Sequence, residues 1–150
     1  MTARLASILI AFSALLLASG CATLPMADPA LDNAAKTFSV VPGKSKIYIY
    51  RNESFGSAIT MNVFIDGQAY GQTVARTYLV VEVDPGAHTI MGKSENEDLL
   101  KLTTVAGQIY YVWQEVKMGL LYARNMLQLV DEKTGRAGVM ECNLAKPSYQ

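Results

Sequence analysis

From residue 47 onward the side chains fall into runs with a period of two. Ile47 and Ile49 alternate with Tyr48 and Tyr50, and Met61, Val63 and Ile65 alternate with Asn62 and Phe64. Leu79, Val81 and Val83 alternate with Tyr78, Val80 and Glu82, and Ile109, Tyr111 and Trp113 with Tyr110, Val112 and Gln114. Successive residues of a strand point to opposite faces, so this period predicts strands with one face in and one face out. Turn chemistry separates the runs. Asp66-Gly67 fits a two-residue hairpin turn, with glycine supplying positive φ. Asp84-Pro85-Gly86 fits a type II turn, residues 92–98 a polar loop, and Ala106-Gly107 a break before the next run. Residues 126–130 read as a strand, although Val116, Leu120, Ala123, Leu127 and Val130 also fit a helical stripe. Gly119 would cost such a helix about 1 kcal/mol, which argues for a loop over residues 118–121. Residues 131–143 stay open between a short helix and a last hairpin around Thr134-Gly135. The pattern predicts a mainly β fold: a small antiparallel β-sandwich of about seven strands with at most one short C-terminal helix.

The chain before residue 44 follows another pattern. Arg4 precedes an uncharged, largely apolar run over residues 5–17, and the small residues Ala18, Ser19 and Gly20 follow. A basic start, an apolar stretch of roughly 7–15 residues and a small-residue cleavage region make up an export signal. The run is shorter than the ~20 residues that span a bilayer. Leu17-Ala18-Ser19-Gly20-Cys21 resembles the bacterial lipobox, with Ala18 where that pattern more often has Leu. The resemblance implies cleavage between Gly20 and Cys21, a diacylglyceryl group on the Cys21 thiol, and acylation (palmitate and similar chains) of the new amino terminus. Each buried CH2 adds ~0.8 kcal/mol, so two or more chains anchor stably where one is marginal. Ala22 follows, not the Asp that resembles an inner-membrane retention signal. In an envelope with two membranes this points to the periplasmic face of the outer membrane. Residues 22–44 mix Ala, Asp, Asn and Thr, punctuated by Pro25, Pro29 and Pro42, and predict a flexible tether with a helical turn over residues 30–36. The expected organisation is a signal peptide over residues 1–20, a lipidated N-terminus and tether over 21–43, a β-sandwich over 44–146 and a tail over 147–150.

Several fragments of the domain agree, in order, with a known pattern. They are Ile47-Tyr48-Ile49-Tyr50-Arg51, Val63-Phe64-Ile65-Asp66-Gly67, Gly71, Thr77-Tyr78, Asp84-Pro85-Gly86-Ala87-His88, Ala106-Gly107-Gln108-Ile109-Tyr110-Tyr111 and Met118-Gly119. Over residues 44–145 the chain resembles an uncharacterised, domain-of-unknown-function family of small bacterial lipoproteins. Residues 61–91 are more loosely similar to PEGA-type modules, whose pattern is a strand, Asp-Gly, a Gly, then Pro-Gly-x-His. Both resemblances imply a β-sandwich on the envelope surface. The family carries no established activity, so no catalytic residue transfers from it.

Composition and chemistry narrow the function. The 150 residues suit one domain, and the formal net charge is zero with no basic stripe, which argues against a nucleic-acid partner. If Cys21 becomes a thioether, Cys142 is left without an intramolecular partner; it is either buried or free to bridge another chain. His88 is the single histidine, so a Ser-His-Asp catalyst would need it with Asp84 or Asp66, and no G-x-S-x-G elbow is present. One histidine also removes most zinc sites. Residues 43–45 and 92–94 spell the end of a phosphate loop, but Phe38 and Ala87 stand where its first glycine belongs. Residues 94–98 are acidic without the spacing of a calcium loop. No enzyme, metal or cofactor is expected. Tyr48, Tyr50, Tyr78, Tyr110, Tyr111 and Trp113 either pack between the sheets or form an exposed platform for stacking on sugars or a protein. Met118, Leu120, Leu121 and Tyr122 either reach solvent as a contact site or fold into the core. The expected function is a non-catalytic, membrane-tethered interaction module binding an envelope protein or wall polymer. The alternative is a glycan- or peptidoglycan-binding lipoprotein.

Overall fold

The alternation in the first strand does not separate inside from outside. In β1 (Ser45–Arg51), Ile47 and Ile49 are buried, and so are Tyr48 and Tyr50 on the opposite face. Both faces are covered because the fold has three layers. The structure, a computed structural model, describes residues 23–148. After β1 come β2 (Met61–Ile65), β3 (Gln68–Thr73), β4 (Thr77–Val83), β5 (Gly86–Lys93), β6 (Glu97–Thr104), β7 (Ile109–Lys117), β8 (Arg124–Val130) and β9 (Asn143–Leu144). Helix α1 (Pro29–Ala35) precedes β1, and α2 (Glu132–Met140) joins β8 to β9.

The strands form a four-stranded sheet, β3-β2-β5-β6, and a five-stranded sheet, β8-β7-β1-β4-β9. Ile47, Ile49, Val63, Leu79, Ile90, Val112 and Leu127 fill the space between them. The mainly β, two-sheet architecture is the one the sequence predicts, with nine strands among the described residues and two short helices. One sheet is mixed: β1 pairs antiparallel with β4 but parallel with β7, and β4 pairs parallel with β9. Parallel neighbours need long connections. Here β2 to β6 lie in sequence between β1 and β7, and α2 leads from β8 to β9. The β2–β3 hairpin turns at Asp66 (φ 50°) and Gly67 (φ 79°), the two left-handed residues of a type I′ turn. Gly86 lies at φ 146°, outside the type II turn expected there, and opens β5 directly. The expected polar loop over residues 92–98 shrinks to residues 94–96, because Lys93 and Glu97 still pair across β5 and β6.

The tyrosines make the third layer possible. Tyr48, Tyr78 and Tyr111 stack side by side, with centroids 6.0 and 5.6 Å from Tyr48, on the outer face of the five-stranded sheet. Helix α2 lies on this face. A β-carbon at Gly135 would strike the Tyr111 ring, and one at Gly138 the Tyr50 ring, so both positions must be glycine for the helix to sit this close. Asp131 caps α2 by accepting from Thr134 N at 3.0 Å. This settles residues 131–143 as a helix followed by a short strand rather than a hairpin.

The expected tether needs correction. Residues 26–38 pack on the domain. Met26 bridges Ala145, and Ala27 N donates to Leu144 O at 2.9 Å. Asp28 and Pro29 start α1 as N-cap and first helical residue. Asp32 then accepts from Tyr78 OH at 2.9 Å, Leu144 N at 2.9 Å and Lys36 Nζ at 2.8 Å. Lys36 Nζ also donates to Cys142 O at 2.7 Å. Phe38 lies over Tyr48 and Tyr111, with the Arg136 guanidinium 4.7 Å from its centroid. A polar composition suggests a solvated linker, but here one carboxylate collects three donors and fastens the segment down.

Candidate functional site

β7 and β8 stay paired from Tyr111↔Val130 to Lys117↔Arg124, and the chain between them runs out beyond the sheet. Val116 is the last buried residue of β7. Beyond it the side chains of Met118, Leu120 and Leu121 are 81, 90 and 92% exposed, and Tyr122 is 47% exposed. Of the two arrangements open from the sequence, these residues take the one in solvent.

The loop is held in shape by a single carboxylate. Glu95 Oε1 accepts from Leu120 N at 3.0 Å, and Oε2 accepts from Leu121 N at 2.9 Å and Tyr122 N at 2.6 Å. These three amides hold the Glu95 carboxyl below its ordinary pKa. A β-carbon at Gly119 would strike the Tyr122 carbonyl and the Glu95 carboxylate, so this loop shape requires glycine. Glu95 belongs to the β5–β6 turn, which is fastened in turn to the other sheet. Ser94 Oγ donates to Ala123 O at 2.7 Å, Asn96 Nδ2 to Asn125 O at 2.9 Å, and Asn125 N to Asn96 Oδ1 at 2.8 Å. The acidic string over residues 94–98 thus works as a clamp between sheets. Asp98 accepts from Leu127 N and Glu97 pairs with Lys93. Among the described residues no group of three His, Cys, Asp or Glu is placed to hold a metal.

A second loop stands beside the first. Arg51, fully buried, donates to Ile59 O at 2.7 Å, to Gly56 O, and to Phe55 O at 3.4 Å. Burial pulls its pKa down; the three carbonyls take its Nη hydrogens, while its buried Nε has no partner among the described residues. Glu53 Oε1 accepts from Val116 N at 3.3 Å. Phe55, Gly56 and Ile59 thereby face residues 117–123 across a shallow apolar hollow, with Phe55 itself 54% exposed.

The other candidates lie elsewhere. Trp113 is partly covered and lines a cleft with Tyr50, Thr134 and Gly138 beneath α2, so the structure does not bring it to the 118–122 loop. Tyr48, Tyr50, Tyr78 and Tyr111 pack between sheet and helices, a third arrangement beyond the two the sequence suggested. His88 lies between two acceptors, with Nδ1 facing Asp66 Oδ2 and Nε2 facing the Asp84 carbonyl, each at 2.7 Å. Cys142 is buried, and burial pushes its thiol up to about 12. Gly20 and Cys21 lie outside the described residues. Sequence reasoning missed Arg51, Glu95, Gln114 and Asn125. The signal for Arg51 and Gln114 is parity: Arg51 is in phase with Ile47 and Ile49, and Gln114 with Val112 and Val116, so both point between the sheets. There Gln114 accepts from Thr73 Oγ1 at 2.5 Å.

Residues 42–125 match the family described as protein of unknown function, DUF2846. The chain belongs to this family. The DUF2846 match takes in β1 through the start of β8, and with them Arg51, Glu95 and both apolar loops. An uncharacterized protein of Haemophilus influenzae is 34% identical to this DUF2846 chain over 133 residues, covering 87% of this chain and 79% of that one. No solved structure matches.

Proposed function

We propose that this protein is an exported lipoprotein, anchored through Cys21, whose domain is a non-catalytic contact module acting through the 118–122 loop. The observation that carries the reading is the clamped loop itself. Large apolar side chains this exposed are costly unless covered in use. A carboxylate from the other sheet fixes them in place, so little loop entropy is lost on contact. Two further points support it. Both ring nitrogens of His88 are engaged, by Asp66 and by the Asp84 carbonyl, which weighs against its use as a hydrolase base. A glycan platform would need an open aromatic face, and Tyr48, Tyr78 and Tyr111 are buried under the helices. Ala22 in place of an Asp after Cys21 favours the periplasmic face of the outer membrane as the site of the anchor where the envelope has one.

Two variants test the reading. Cys21→Ala is expected to accumulate as unprocessed precursor and lose acyl label; normal cleavage of that variant would remove the anchor from the proposal. Leu120→Ser with Leu121→Ser is expected to keep the melting temperature, because both side chains already face solvent, and to lose the cross-links that the wild-type loop forms in living cells. An unchanged cross-link pattern would take the loop out of it.

A further inference from the structure

The two ends of the sandwich differ in chemistry, and the apolar end is the one where the chain enters. β1 and β7 run parallel, so Arg51 and Lys117 mark the same end. β4 runs the other way and begins at that end, with Thr77 opposite Arg51. Thr23 and Leu24, the first described residues, lie in a hollow formed with Val74, Arg76, Thr77 and Asn143, again at that end. Cys21 precedes Thr23 by two residues, within about 7 Å of chain. This end also carries the exposed Phe55, Met118, Leu120, Leu121 and Tyr122. Ion pairs occur at both ends, Lys44–Asp84 and His88–Asp66 at the opposite one and Arg76–Glu141 and Lys93–Glu97 at this one, so what sets this end apart is the cluster of large exposed apolar side chains.

The geometry points to the bilayer that holds the Cys21 acyl chains as the surface the 118–122 loop and Phe55 enter. This rests on the lipoprotein reading above and names the partner of its contact loop. An acyl anchor near the β9 edge and an apolar loop at the β8 edge lie at opposite sides of the five-stranded sheet, four strand spacings or about 19 Å apart. Together they make a two-point contact that sets the domain upright on the membrane. Backbone amides entering hydrocarbon need partners, and Glu95 already supplies them to Leu120, Leu121 and Tyr122. Exposed Arg124 and Lys117, the latter paired with Glu115, flank the loop where anionic headgroups would lie.

The test uses the acylated protein in vesicles of three parts phosphatidylethanolamine to one part phosphatidylglycerol. An environment-sensitive fluorophore is attached at Leu121→Cys, or at Val105→Cys on the opposite end as control. Cys142 is buried and does not compete for label. Spin-labelled lipid is expected to quench the label at 121 several-fold more than the label at 105. Equal, weak quenching on protein whose Cys21 peptide carries its acyl mass would overturn the membrane contact and leave the anchor standing. A Cys21 peptide with a free thiol would instead overturn the lipoprotein reading and this inference with it. A protein cross-linked at 121 in cells, with no quenching in vesicles, would give the loop to a protein partner and also overturn the inference.

Discussion

Single residues in this protein repay attention to what their polar atoms touch. His88 is held between two acceptors. Burial works against its charged form, but the Asp66 carboxylate and the Asp84 carbonyl outweigh it and raise its pKa above 6.5. The pair therefore contributes in full below about pH 6.5, and the contribution is lost as pH rises through the folded-state value. Asp66, lowered chiefly by His88, contributes above the usual carboxylate range and loses that contribution as pH falls. The stability gap between wild type and His88→Asn is expected to be widest below about pH 6.5 and to close as pH rises above it, by at most about 1 kcal/mol because Asp66 is half open to solvent. Thermal melts at a series of pH values measure it. Cys142 offers a second check. Its thiol should resist aromatic disulfide reagents in native protein and react once in denaturant, where an unacylated Cys21 would add a second equivalent. Asp84 lies only four residues from His88, but the Asp66–His88 pair joins positions 22 apart, so nothing near His88 in the sequence announces its carboxylate partner.

At the scale of elements, the strands were legible because a period of two is hard to produce otherwise, and Gly119 correctly marked the loop between β7 and β8. The two short helices were legible as elements, over residues 30–36 and within 131–143, but their packing on the sheet was not. Tyr48 and Tyr50 alternate with Ile47 and Ile49 and so read as an outward face, yet a tyrosine ring is mostly apolar and is readily covered. Nothing near Asp32 in sequence says that its carboxylate will accept from Tyr78 and Leu144. Two substitutions measure these contacts. Gly138→Ala favours an isolated helix by about 1 kcal/mol. Here it should destabilise by about 1–3 kcal/mol, since the added methyl meets the Tyr50 ring. Asp32→Ala should cost about 2 kcal/mol by stranding Tyr78 OH and Leu144 N. Denaturant unfolding reads both, and a stabilised Gly138→Ala would refute the close seating of α2.

The whole molecule depends on its third layer. A chain begun at residue 44, where composition alone would place the domain boundary, loses α1 and Phe38 and uncovers Tyr48 and Tyr78. It should melt lower and bind a hydrophobic dye that the chain begun at residue 23 does not. Equal melts and no dye binding would return residues 26–38 to the role of linker. The docking of those residues also limits how far the domain can travel. A tether running to residue 43 would have allowed an excursion of about 80 Å. With residues 26–38 fastened to the sheet, the chain left between Cys21 and Met26 extends no more than about 18 Å. Anchored at Cys21, the domain would work as a surface fitting, and any second binding partner would have to come down to the membrane to meet it.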